Sequence, residues 1–338
     1  MELFPSPSGE RLTKMKVSVV IPNYNGKKYL KECLDSLLDQ QFKDFEVILV
    51  DNGSSDGSLE WLRQEYPGEV FPQVRIIALE ENTGFCGGVN TGIRNAKGQY
   101  ILLLNNDTIV KPGFIKELVK GIEKNPRIFS CQAKILEIHD QNKMDDAGNF
   151  YCALGWAFAD GKGKPEQNYN RERKVFSSCA AAALYRKSIL KEIGLFDEEH
   201  FAYLEDMDIG YRARLHGYEN RFCPRARVLH VGSGTSGSRY NLFKVRYSSR
   251  NNIYMIYKNM PLWQIVLNLP FFLVGFGTKA IFFAKKGFGK EYLAGIKNGF
   301  AISRKNKEKK VNFRGKGWTC LKIQAELYGN MFRRILKQ

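Results

Sequence analysis

Four short apolar runs constrain the fold of this chain more than any other feature. They lie at residues 17–21 (VSVVI), 45–50 (FEVILV), 74–79 (VRIIAL) and 101–104 (ILLL). Each is nearly continuous in apolar residues, as in a strand buried on both faces, and shows no strict polar alternation. Stretches with helical spacing separate them. Leu30, Cys33, Leu34, Leu37 and Leu38 fall on one helical face. Residues 58–66 read as a helix, 87–96 as a helix start, and 112–123 as a helix with proline in its favoured first turn. Buried strands alternating with amphipathic helices predict an α/β fold, a mostly parallel sheet with helices on both faces. Residues 129–174, rich in Gly, Asp, Asn and Lys, read as loops or a small antiparallel element. Residues 180–190 recover a strand-into-helix pattern, and a helix through 210–216 ends at Gly217, a plausible C′ glycine.

Each run stops in polar residues. The tips read Pro22-Asn23-Tyr24-Asn25-Gly26, Asp51-Asn52-Gly53-Ser54-Ser55-Asp56-Gly57, Asn82 to Asn90 through Gly84, and Asn105-Asn106-Asp107. One such tip is turn chemistry. Four of them emerging on the same edge of a parallel sheet make a site, because open α/β sheets bind ligands at the carboxyl ends of their strands.

The formal charge of +17 resembles that of a nucleic-acid binder until it is located. Residues 239–338 hold 21 Lys and Arg against 3 Asp and Glu, a net +18, and residues 1–238 hold 31 against 32. A near-neutral body with a basic, aromatic-rich end predicts contact with anionic lipid headgroups, with no nucleic-acid partner. Residues 261–284 (PLWQIVLNLPFFLVGFGTKAIFFA) carry one charge in 24 residues, long enough to span a bilayer. The polar and helix-breaking residues within it suit a segment lying in the interface equally well. A buried hairpin of a soluble protein stays open as a third reading. The basic clusters after it place the cytosol at that end. Seven cysteines, odd in number and without a CxxC pair, signal neither zinc nor disulfides and fit a reducing compartment. Residues 1–15, without an apolar stretch of signal length, read as a disordered lead-in.

The order VSVVIPNYNG, VILVDNGSSDGS, NTGFCGGVNTGIRNAKGQYILLLNNDT, then GLFDEEHFAYLEDMDIGYRARLHGY resembles family 2 glycosyltransferases, in particular their rhamnosyltransferase-like branch. The match runs from Lys16 to about Gly234. It implies the GT-A fold, a Rossmann-like α/β core using a nucleotide-sugar donor and usually a divalent metal. Residues 16–238 would form that domain, with a nucleotide-sugar half at 16–128 and an acceptor half at 129–238. Residues 239–338 would form a basic helical, membrane-associating tail.

The resemblance also implies roles for residues. Asp51 would accept from the base N–H of a uracil or thymine, with Pro22 and Tyr24 beside the base or ribose and Asn25, Asn52 and Gly84 in the same donor site. Asn90 and Arg94, at i, i+4 spacing, would face the donor phosphates. Asn105, Asn106 and Asp107 stand where the family carries its DxD signature. Asp107 would supply the one carboxylate to Mg²⁺ or Mn²⁺, and Asn106 would reach ribose or sugar. His230 would be a further metal or diphosphate contact. In Glu205-Asp206 the second residue would be the base that takes the acceptor proton, and Asp208 would be a first-turn helix charge. Ser178-Cys179-Ala180-Ala181 replaces a glycine usual beside the acceptor site.

These expectations combine into an inverting glycosyltransferase at the cytoplasmic face of the cell membrane, peripheral or monotopic. Its donor would be a dTDP- or UDP-sugar, rhamnose favoured, and its acceptor a polyprenyl-diphosphate-linked or polysaccharide hydroxyl in cell-surface glycan assembly. One rival is a sugar-phosphate nucleotidyltransferase, against which PNYNGKKYL lacks the Gly-rich basic loop after the first strand. The other is a non-catalytic nucleotide-binding membrane adaptor, against which stand Asp51, Asp107 and Asp206.

Overall fold

The computed structural model describes residues 15–232 and 240–336, so the lead-in expected for residues 1–15 lies outside the described residues but for its last. Strand β1 (Val17–Asn23) pairs in parallel with β2 (Phe45–Asn52) and β4 (Tyr100–Leu104), and β3 (Val74–Leu79) pairs in parallel with β2. Helices α1 (Lys27–Leu38), α2 (Ser58–Glu65) and α3 (Gly84–Asn95) make the crossovers. Alternate residues of these strands serve two apolar layers. Val17, Val19 and Ile21 pack with α1 and with α4 (Phe114–Glu123), whereas Val20, Ile48 and Leu103 pack with α3 and with α5 (Lys187–Ile193). Helices on both faces explain why the strands lack polar alternation.

Beyond β4 the sheet is mixed, which corrects the mostly parallel expectation. Strand β11 (Ala182–Arg186) runs antiparallel between β4 and β6 (Ile128–Glu137), and β12 (Glu219–His230) runs parallel to β6. Short antiparallel strands β5 (Thr108–Val110), β7 (Met144–Asp146) and β10 (Arg173–Val175) complete it, and β8 (Asn149–Cys152) pairs with β9 (Trp156–Ala159) apart. The loop-like stretch 129–174 thus opens with a ten-residue strand through the core. Ser130, Gln132 and Lys134 of β6 are fully buried, each with a partner: Ser130 donates to Asn220, Gln132 to Asp146, and Lys134 to Asn170 at 2.8 Å while pairing with Glu166. Their polarity hid the strand.

From residue 242 the chain forms α7 (Leu242–Asn259), α8 (Leu262–Lys285), α9 (Gly289–Lys305) and α10 (Gly317–Leu336). These helices share a core with the preceding residues. Met255, Met260, Ile323 and Leu327 pack with Tyr151, Phe176, Met207 and Tyr211, the last on α6 (Glu205–Leu215). Burying each such side chain contributes about 1.5–3 kcal/mol. The expected boundary at 238 therefore runs through one packed unit.

Candidate active site

A cleft of about 880 Å³ opens along the strand ends. Its first wall is a chain of amides. Asn106 Nδ2 donates to Asn23 Oδ1 at 2.7 Å, and Asn23 Nδ2 donates to Asp51 Oδ1 at 2.8 Å and to Ser54 Oγ at 3.2 Å. Ser54 N–H takes the other oxygen of Asp51 at 3.2 Å. Gly26 makes this contact possible, since a Cβ there would collide with Asn106 Nδ2 and Asn23 Oδ1. Pro22, Tyr24, Asn105 and Asn106 line the cleft, whereas Asp51 sits behind Asn23, 2% exposed. Asn52 ties the second and third tips together, donating to Gly84 O at 2.9 Å and accepting from Thr83 N at 3.0 Å. Asn25, left-handed at φ 51°, accepts from Ser55 N at 2.8 Å on the exposed side of the first loop.

Asn90 and Arg94 do not join this wall. They share a helical face as their spacing requires, but that face meets the segment before α6. Asn90 Nδ2 donates to Phe196 O and to Glu198 Oε1, both at 2.8 Å, and Arg94 pairs with Glu198 at 3.0 Å. Both line a separate cavity of about 780 Å³ with Phe196, Asp197 and Glu198.

His230, at the end of β12, bridges two carboxylates. Its Nε2 lies 3.3 Å from Asp107 Oδ1 and its Nδ1 lies 2.7 Å from Asp145 Oδ2. Burial opposes the charged ring, but hydrogen bonds and charge from Asp107 and Asp145 outweigh it and push the pKa up to about 10. Among the described residues no group of three or more His, Cys, Asp or Glu side chains has metal-holding geometry. Asp107 still suits a hard cation held chiefly by phosphate and water, which needs only one or two protein donors. His230 would join it through Nε2 only as the neutral ring, the metal displacing the proton now shared with Asp107, and Asp145 would then orient the imidazole.

The opposite wall comes from segment 178–181 and the start of α6. Asn105 N–H donates to Ala181 O at 2.9 Å, joining the walls, and Cys179 N–H donates to Gln132 Oε1 at 2.7 Å. Asp206 Oδ2 accepts from Asn149 Nδ2 at 2.9 Å, and Oδ1 accepts from Met207 N–H at 2.6 Å. Burial raises the pKa of both Asp206 and Glu205. Donated hydrogen bonds limit the rise at Asp206. Glu205 is pushed higher by burial and by its neighbour's charge, and its Oε2 has no hydrogen-bond partner among the described residues. The pair therefore holds one proton more readily than two ordinary carboxyls, with Asp206 the member that ionises first.

The turn before α6 is strained. Phe201, Tyr203 and Leu204 sit at φ 61°, 72° and 65°, a left-handed conformation costing of order 1–3 kcal/mol at each non-glycine residue. Asn251 of α7 holds the turn, donating to the carbonyls of His200 and Ala202 at 2.9 Å and of Tyr203 at 2.7 Å. Phe201 in turn closes over Gly84, where φ is +76° and a Cβ would strike its ring.

Asp208 is more than a first-turn charge. It is fully buried, accepting from Arg212 Nε and Lys258 Nζ at 3.0 Å and from Asn259 at 2.7 Å. Burial would raise its pKa, but Lys258 and Arg212 hold it well below the carboxylate range.

Sequence reasoning missed Asn23, Asn149, Asp145 and Asn251. Asn23 stood inside a quoted motif; the other three gain their roles only through contacts distant in sequence.

Comparison with known proteins bears on the family and the fold. The profile described as "Glycosyl transferase family 2" matches residues 18–194, just over half the chain. Glycosyltransferase GlyG of Streptococcus pneumoniae is 33% identical over 193 residues, covering 55% of this chain and 60% of that protein. The chain thus spans less than two thirds of that relative's length. An uncharacterized glycosyltransferase of Bacillus subtilis, YwdF, is 30% identical over 220 residues, covering 65% of this chain and 75% of its own. Among solved structures, GalNAc-T7 with UDP, GalNAc and Mn²⁺ superposes with a TM-score of 0.60 at 19% identity, covering 73% of this chain and 48% of that one. The mannosyltransferase PcManGT of Pyrobaculum calidifontis with GDP-Man and Mn²⁺ gives 0.55 at 15%, covering 92% and 84%. These two share the fold, and the family match rests on sequence: the chain belongs to glycosyl transferase family 2.

Proposed function

We propose that this chain is an inverting glycosyltransferase. It moves a sugar, rhamnose in the favoured case, from a dTDP- or UDP-linked donor to a hydroxyl of a polyprenyl-diphosphate-linked or polysaccharide acceptor in cell-surface glycan assembly. It works at the cytoplasmic face of the cell membrane. The observation that carries the reading is Asp206, raised in pKa by burial and aimed by Asn149, across one cleft from the Asn23–Asn106 wall. Support for the ligand class comes from relatives. GalNAc-T7 and PcManGT are solved with UDP or GDP-Man and Mn²⁺. A poly-β-1,6-N-acetyl-D-glucosamine synthase of Staphylococcus epidermidis matches over 62% of this chain at 25% identity.

In this mechanism the acceptor oxygen attacks the anomeric carbon from the Asp206 side, and Asp206 Oδ2 takes its proton. The bond from the anomeric carbon to the diphosphate breaks, so configuration inverts. A base whose proton affinity burial has raised is better matched to a hydroxyl than an ordinary aspartate. Asp107 and His230 would hold Mg²⁺ or Mn²⁺, which when bound supplies positive charge to the departing diphosphate. Asn105 and Asn106 offer amide donors on the same side.

Calorimetric titration with UDP, dTDP and GDP, each with and without Mn²⁺, tests the site. Manganese-enhanced binding of a uridine or thymidine diphosphate is the expected result. Folded protein that binds none of the three overturns the reading.

A further inference from the structure

Helix α8 is turned inside out. Its polar residues face the protein: Gln264 and Asn268 are fully buried and donate to Gln324 Oε1 of α10 at 3.2 and 2.8 Å. Much of its apolar surface nevertheless faces outward, with Leu262, Val266 and Leu273 exposed by 70, 60 and 69%, while Phe272 packs inward. A helix at a water-facing surface has the reverse polarity. On α10, Trp318, Phe332 and Leu336 are exposed by 69, 58 and 79%. Exposed apolar surface on this scale marks a contact with another phase or partner.

Charge selects among the occupants. Residues 242–336 carry 19 Lys and Arg against 3 Asp and Glu, so a second copy would bring like charge onto like charge. An anionic bilayer neutralises it instead. Lys322 lies over the Trp318 ring at 5.2 Å, a pairing suited to the headgroup level, where indole and a snorkelling ammonium both find partners.

Packing selects the orientation. The inner side of α8 is fastened to the protein along most of its length. Gln264 and Asn268 bond to α10, Trp156 Nε1 donates to Gly275 O at 2.9 Å, and Tyr240 packs edge-on against Phe282 and Phe283. A Cβ at Gly275 would collide with Leu154 O. A helix held in this way cannot leave the body to cross a bilayer.

We propose that the outer faces of α8 and α10 form a monotopic docking surface for anionic lipid, with α8 lying in the plane of the interface and not spanning it. The surface chemistry carries this independently of the donor and acceptor assigned above.

The test is flotation of the full chain with phosphatidylcholine vesicles, with and without phosphatidylglycerol. Salt-sensitive binding to the anionic vesicles is expected. V266E and L273E, at exposed positions outside the cleft lining, each weaken it at least about tenfold, the worth of one buried apolar side chain. Their unchanged nucleotide binding reports intact folding. K286C, at the end of α8 remote from α7, is then labelled above the wild-type level by an impermeant maleimide added outside sealed vesicles. Protection of K286C overturns the in-plane orientation. Failure of anionic vesicles to bind, with dimers seen by light scattering, overturns the lipid assignment in favour of a second copy.

Discussion

Asn251 Nδ2 lies 2.7 Å from the carbonyl oxygen of Tyr203, so a helix 48 residues downstream holds the turn that aims Asp206. The same amide serves His200 and Ala202, and Arg250 beside it donates to Glu199 O at 2.6 Å. The left-handed residues persist in this turn because it is tied down from outside, the Tyr203 carbonyl by Asn251 and the Phe201 carbonyl by the Cys86 N–H.

Replacing Asn251 with Ala releases the carbonyls it holds while leaving the donor-side amides untouched. A misplacement of about 1 Å at a catalytic group costs on the order of 100-fold in rate. N251A should therefore lower kcat by 10- to 100-fold, with nucleotide diphosphate affinity changed less than about threefold. Steady-state kinetics beside calorimetry separates the two. A fall in affinity as large as the fall in kcat would mean that Asn251 supports the whole fold.

Asp206 and Glu205 give a second prediction. Burial raises both pKa values, Glu205 further, so Glu205 is still protonated while Asp206 titrates. A base must be ionised to act, so kcat/KM should rise with pH along a limb whose midpoint lies above the ordinary aspartate value of 3.8. D206N should abolish the limb and cost on the order of 100- to 10,000-fold in kcat. E205Q should leave the limb near its wild-type position, because it replaces a group already neutral there. A wild-type midpoint at or below the usual carboxylate range would rule out the buried base.

The parts of this site that were legible in the sequence share one property: their signal is local. The apolar runs announced four strands, and the polar tips announced a ligand edge, because a strand buried on both faces tolerates little polarity until it ends. Strand β6 escaped notice since Ser130, Gln132 and Lys134 are buried with partners far along the chain. Spacing placed Asn90 and Arg94 on one helical face but could not say that the face meets Phe196 and Glu198. Asn149 and Asn251 carry no local signature at all. For the same reason the basic tail looked separable, although Lys258 reaches Asp208 in the core.

Gly26 offers a steric test of the donor wall. Its φ of −115° suits any residue, so an alanine there is judged by contact alone, and its Cβ meets the Asn106 amide. G26A should break the Asn106–Asn23 bond and cost about 1–3 kcal/mol of stability, as overpacking does. Nucleotide affinity should fall about tenfold or more, since the amide that moves lines the cleft. Calorimetry on the folded variant reads this directly, and unchanged affinity would remove Asn106 from the donor site.

Lys258 links the C-terminal helices to α6 electrostatically. It is 4% exposed and pairs with Asp197 at 2.7 Å and Asp208 at 3.0 Å. K258M leaves two buried carboxylates short of a cation, a loss of about 3 kcal/mol at neutral pH. The sign of its pH dependence follows from linkage. In the wild type Lys258 helps hold both carboxyls below their unfolded pKa, so their contribution is present above about 3.8 and fades as pH falls below it. The variant has less of that contribution to lose, so the gap between the two proteins should narrow on acidification. Urea unfolding at neutral pH and at a pH well below 3.8 measures it. A gap that stays constant would assign the loss to packing of the lysine stem instead of its charge.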